Sequence, residues 1–216
     1  MHSFSKEKQT VIFKNFQSKI KKEKSFAESI ESLIEFRIEM WNMYEYVFNT
    51  LKEEEYKKKP IKQFKTIAYY LYHLNRIEDI TLNTLIKDQE QIFYKNNYQE
   101  RINSKLHTTG NELTLDEVEK FSERLNIKEL IKYVKEVFEN TNNYIKIVNY
   151  LDSRTLITSE RKEKLLELGS VSNDSKAFWL VDYWCKKDYQ GIMLMPFSKH
   201  HFMHLWNSIS IIEKLN

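Results

Sequence analysis

Three of the six histidines in the chain fall within one short stretch, Ser198-Lys199-His200-His201-Phe202-Met203-His204. Helical positions four apart share a face, so His200 and His204 can aim two imidazoles at one point. Imidazole nitrogen favours zinc, nickel, copper or ferrous iron over magnesium or calcium. Two ligands seldom complete a centre, and the best third lies far back in the chain, at His73. Three neutral imidazoles leave a divalent ion its full charge and, in zinc-like geometry, an open position for water or substrate. Such a centre lowers the pKa of bound water toward about 7, or holds a thiol as its thiolate. His201 complicates the choice, because by helical angle it lies nearer the centre of the Leu205, Ile209, Ile212 stripe than His200 does. Periodicity therefore leaves His200/His204 and His201/His204 both open, beside the plainer reading of exposed or capping histidines at a helix start.

The elements that must position these residues are helical. Ser198, following Pro196, reads as the N-cap of a last helix, with Gly191 to Pro196 as an apolar linker before it. His73 sits near the middle of a helix expected over about Ile61 to Lys87, beside an apolar stripe of Phe64, Ile67, Tyr70, Leu71, Leu74, Ile77, Leu82 and Leu85. A single histidine there is more often a core residue with its own hydrogen bond than a ligand. An earlier long helix runs from Ser25 to Leu51, and Lys57-Lys58-Lys59-Pro60 breaks the chain after it. Residues 88 to 112 are polar and aromatic and too irregular for a long helix; a connection of that length is often functional. Thr114 and Glu117 have capping-box spacing for a helix over 115 to 124, and Asn126 and Glu129 start one reaching about residue 151. A short helix over Ser159 to Leu168 should stop at Gly169, and Asn173 or Asp174 should cap another over 175 to about 186. Residues 1 to 24 read as a basic extension or a short amphipathic helix ahead of a bundle domain over 25 to 216.

Composition agrees. Three glycines and two prolines in 216 residues are too few for the turns of a sheet protein, so the class is all-α. The formal net charge of +3, from 34 basic and 31 acidic side chains spread along the chain, argues against nucleic acid as a partner. Cys185 is the one cysteine, which excludes an intramolecular disulfide and suits a reducing cytoplasm. Beside Trp184, Lys186 and Lys187 it reads first as packing and second as a reactive thiol. No apolar run is long enough to span a bilayer, and Met1-His2-Ser3-Phe4-Ser5-Lys6 lacks the core of a signal peptide, so the expectation is a cytoplasmic protein with no membrane partner. Enrichment in Asn, Lys, Ile and Tyr points to an AT-rich bacterial genome. Two-fold association into a homodimer through an exposed helix face is compatible with the sequence but not specified by it.

His73-Leu74-Asn75-Arg76-Ile77-Glu78-Asp79, taken with Leu194-Met195-Pro196-Phe197-Ser198-Lys199-His200-His201-Phe202-Met203-His204-Leu205, resembles the DinB-like superfamily of metal-binding bundles. The resemblance covers roughly residues 26 to 216 and implies an all-α four-helix bundle of up-down-down-up type with extra short helices. It implies His73, His200 and His204 as ligands of a divalent transition metal (zinc, nickel or iron), with His201 as a neighbour that packs or faces the mouth. Relatives that transfer low-molecular-weight thiols such as bacillithiol or mycothiol imply an S-transferase, with a small-molecule electrophile entering past some of Trp41, Tyr69, Tyr70, Trp184 and Trp206. A hydrolase using metal-activated water is the second expectation, and a non-enzymatic metal-binding stress or scaffold protein the third. Arg76, Glu78 and Asp79 are expected to form surface or interhelical ion pairs, with Glu78 or Asp79 as an alternative partner for a ligand imidazole.

Overall fold

The structure is a computed structural model that describes residues 3–215; Met1 and His2, part of the start read above for a leader, lie outside the described residues, as does Asn216. Its elements are helical, with no strand among the described residues. α1 (Lys6–Lys19) starts at Ser5, whose hydroxyl accepts from the Lys8 amide, and packs along α2 (Phe26–Thr50). α3 (Ile67–Asp79) begins at Thr66, whose side chain accepts from Tyr69 N. It therefore starts later than its periodicity predicts, and a π-helical stretch, Ile80–Ile86, extends it. Two single turns follow, α4 (Ile92–Lys95) and α5 (Tyr98–Arg101). α6 (Leu115–Arg124) opens on the Thr114/Glu117 capping box. α7 (Ile127–Ile147) starts at Asn126 and stops short of residue 151, because Val148 is extended and Asn149 caps a separate turn, α8 (Tyr150–Ser153). α9 (Ser159–Glu167) ends before Gly169, which takes φ +57°. α10 (Ser175–Cys185) is capped by Asp174. α11 (Tyr189–Leu194) and α12 (His200–Leu215) are joined by a π turn, Met195–Lys199.

That joint corrects the reading of Ser198 as a cap and of Gly191 to Pro196 as a linker. The helix begins at Asp188, whose carboxylate accepts from Gly191 N, and Ser198 donates its hydroxyl to the Met193 carbonyl at 2.7 Å. Proline has no N–H to close an α-turn, and the chain absorbs Pro196 by widening the turn so that His200 N reaches the Met195 carbonyl.

α3 is the centre of the molecule. Every residue from Thr66 to Ile86 is buried, polar and charged ones included. α7 and α12 pack on it, α2 lies across from it against those two helices, and the face that would otherwise meet water is covered by the segment after it and by α6. Its polar side chains are consequently obliged to find partners inside the protein.

A buried charge cluster ties α3 to four other elements. Arg37 of α2 places its guanidinium against Glu78, with N–H···O distances of 2.8 and 3.2 Å. Its other donors reach the Phe138 carbonyl at 3.2 Å and Asn142 on α7, and the Phe197 carbonyl at 2.7 Å in the π turn. All five guanidinium protons are thus used. Glu78 Oε2 also lies 2.7 Å from Nε2 of His201, off the axis of a well-aligned hydrogen bond, and His201 Nδ1 meets the Tyr44 hydroxyl at 2.8 Å. Of the two expected pairings, Glu78 takes the interhelical one, with Arg37, while Asp79 meets Arg76 within its own helix at 3.5 Å; a surface position is corrected for both, since both carboxylates are fully buried.

Candidate metal centre

His73, His200 and His204 converge: each offers a ring nitrogen, and the three nitrogens lie within 4.8 Å of one another. Nε2 of His73 and Nε2 of His200 are 3.2 Å apart. Two nitrogens on one tetrahedral ion, at metal–nitrogen distances of about 2.0–2.1 Å, are separated by about 3.3 Å. The spacing suits a proton shared between two rings or an ion held by both, and the third ring favours the ion. The rings meet edge to face, with interplanar angles of 70°, 80° and 86°. Burial, reinforced by the neighbouring imidazoles, holds His73 and His200 well below the ordinary histidine range, and burial with Lys65 nearby lowers His204 to about 4. Neutral rings with bare nitrogens are the form that binds metal. The donor set fits a divalent transition metal.

The orientation of His73 comes from backbone. Its Nδ1 lies 2.8 Å from the Thr109 carbonyl, and since a carbonyl only accepts, the proton sits on Nδ1 and Nε2 is left bare toward the site. Neither Glu78 nor Asp79 takes that part: Glu78 serves Arg37 and His201, and Asp79 accepts from Tyr133 and the amides of Ile92 and Phe93. The His73–Thr109 contact is one of a series. Tyr69, Tyr72, His73 and Arg76 line one face of α3 and engage every carbonyl from Leu106 to Gly110. Tyr69 donates to Gly110 at 2.9 Å and Arg76 to His107 at 2.7 Å, while Tyr72 lies 2.9 and 3.1 Å from Leu106 and Thr108. The long connection thereby becomes the part that sets the tautomer of a ligand histidine.

Gly110 makes this fit possible. It takes φ +76°, and an added Cβ would sit 3.1 Å from the Tyr69 ring. Gly110→Ala should therefore cost roughly 1–2 kcal/mol in a denaturant titration. It should also weaken metal binding about tenfold as the Thr109 carbonyl moves off His73. Unchanged affinity would separate the loop from the site.

Tyr69 stacks on His73 (ring centroids 5.3 Å apart) and Tyr70 on His204 (4.9 Å). Asn207 lies 3.4 Å from Nδ1 of His204, while Nδ1 of His200 is buried without a partner. The histidines face a cavity of about 430 Å³ whose wall also holds Leu115, Trp179, Tyr183, Trp184 and Met203. Of the aromatic residues expected at the mouth, Tyr69, Tyr70 and Trp184 are there. Trp41 instead lines a groove between α2 and α7, and Trp206 donates to Gln9 of α1. Trp179, 52% exposed at the rim, was not among the expected ones. His201 is fully buried on the opposite side of α12, against Tyr44 and Glu78, so it packs and does not face the mouth. Burial pushes the Cys185 thiol up to about 11, and it lies outside the cavity wall, in keeping with a packing role.

An all-helical protein whose central and last helices carry three converging imidazoles facing a cavity has the donor set of a helical metal-binding protein. Its sequence matches the profile of the DinB superfamily over residues 38–160, a span that includes His73 and ends before the last helix. The chain is a member of that superfamily. No curated protein matches it. No helix among the described residues is long and apolar enough to cross a membrane.

Proposed function

We propose that the protein is a metal-dependent S-transferase that joins a low-molecular-weight thiol to an apolar electrophile at the cavity of His73, His200 and His204. A divalent ion held there supplies the Lewis acidity that keeps a thiol sulfur in its nucleophilic thiolate form. The observation that carries the reading is the composition of the cavity wall: among the described residues it contains no aspartate or glutamate. Hydrolysis is commonly assisted by a group that takes a proton from water, whereas a thiolate attacks without one. The chain's own contribution is positioning and exclusion. Thr109 orients His73, Tyr69 and Tyr70 clamp two of the rings, and Trp184, almost fully buried, closes the cavity on the side of α10. The partly exposed Leu115, Trp179 and Met203 give the mouth an apolar rim suited to an uncharged, hydrophobic electrophile.

Thermal shift of the zinc-loaded protein with a panel of small thiols tests this. A thiol present at a hundredfold excess over its Kd should stabilise the fold by roughly 2.7 kcal/mol, a rise of several degrees that is absent in His200→Ala. Indifference to every thiol would overturn the transferase reading.

A further inference from the structure

Among the described residues, Lys65 is the one side chain of the cavity wall that carries a formal charge. It immediately precedes the Thr66 cap of α3 and is held over the Tyr69 ring, with Nζ 4.1 Å from the ring centroid. Nζ donates to the Tyr69 hydroxyl at 2.7 Å, and the Lys65 amide donates to the Tyr70 hydroxyl at 3.2 Å. The two tyrosines that stack on the ligand histidines are thus the same two that fix Lys65, which places the ammonium beside the metal site. Tyr69 supplies a neutral partner, and no carboxylate lies within ion-pair distance of Lys65 among the described residues. Glu112 is near enough to oppose the effect of burial but does not line the cavity. Burial lowers Lys65 to about 8. Gln63 and Asn111 add two amides to the same wall. With three neutral imidazoles around a dication, a lysine and no acid, the wall would carry an excess of positive charge that only the ligand can balance.

We infer that Lys65, with its neutral partner Tyr69, forms a carboxylate-binding subsite beside the three histidines, so that the substrate carries a carboxylate in addition to the group directed at the metal. This rests on the reading of the cavity as the substrate site of a thiol transferase. A carboxylate suits one ammonium flanked by amides; a phosphate dianion calls for more cationic donors than this wall holds.

Two ligand pairs separate the two readings. 3-Mercaptopropionate and 3-mercaptopropionamide differ in charge but hardly in size, and 3-phenylpropionate and 3-phenylpropionamide form the corresponding pair without sulfur. Their Kd values for the zinc-loaded protein can be read from the fluorescence of Trp179 and Trp184, which line the cavity. In both pairs the acid should bind at least about tenfold more tightly than the amide. That preference should fall to near unity in Lys65→Met and be largely retained in Lys65→Arg, with zinc stoichiometry unchanged in both. Equal binding of acid and amide, a preference that survives in Lys65→Met, or no measurable binding of either acid up to about 10 mM would each overturn the subsite. If the acids are preferred but the mercapto pair binds no better than the phenyl pair, the subsite stands and the thiol reading fails.

Discussion

Glu78→Gln is expected to lower the stability of the protein by roughly 3–5 kcal/mol, because it leaves Arg37 as a buried cation without its counterion. For a chain of this size that is a fall in Tm on the order of 10 °C. The pair is fully buried, bidentate and supported by two carbonyls and an amide, which is the setting in which loss of one partner costs most. The same carboxylate sets an acid limb. Burial pushes Glu78 up, but Arg37 and then His201 outweigh it and hold the group at about 2, below its ordinary 4.5. A folded-state value below the unfolded one stabilises the fold above about pH 4.5, and that stability is lost as pH falls from there through about 2. The difference corresponds to roughly 3 kcal/mol. Urea titrations from pH 6 to 2 should show a steep loss in the native protein and a shallower one in Glu78→Gln. The double variant Arg37→Met with Glu78→Leu should recover much of the loss at neutral pH, since an apolar pair removes both desolvated charges at once. A Glu78→Gln protein within 1 kcal/mol of native at neutral pH would show that the cluster is not what fastens α2, α3 and the π turn together.

His204→Ala and His73→Ala are expected to abolish stoichiometric metal. Protein purified without an affinity tag should carry about one transition-metal ion per chain, and each variant should bind it at least about a hundredfold more weakly, more than the loss of an orienting partner costs. Both variants should stay folded: His204 is on the cavity wall, and the α3 carbonyl contacts next to His73 are made by Tyr69, Tyr72 and Arg76. His201→Ala is the contrasting control. It opens a hole beside Tyr44 and Glu78 and should lower stability while leaving the metal content intact. Metal retained in His73→Ala or His204→Ala, measured by elemental analysis, would remove the three-histidine centre from consideration.

Much of the helical outline was legible because its signals are local. Thr114 and Glu117 reciprocate within one turn, Asp174 caps the helix that follows it, and Gly169 adopts the positive φ that ends a helix. Pro196 misled for a related reason: a proline beside a serine reads as a helix start, and only the neighbouring turn shows that a π turn carries the helix through it. Lys65 gave no signal, being one lysine among many. Arg37 lay on the apolar stripe of α2 with Leu33, Met40 and Tyr44, a position where a charge requires a buried partner, and that was the sign by which it could have been found.

The sequence by itself determined the all-helical class, most of the helix boundaries and the fact that three histidines sit where two helices could bring them together. Composition, caps and one-turn spacing are properties of neighbouring residues, and neighbours suffice for them. Periodicity left His200 and His201 both open and the resemblance chose His200 with His204; only the tertiary structure showed that His201 turns inward to Tyr44 and Glu78. The tertiary structure alone also showed that the Thr109 carbonyl sets the His73 tautomer and that α3 is buried on every side. Each depends on contacts between residues far apart in the chain, and helical periodicity describes one face of one helix without saying what covers the others.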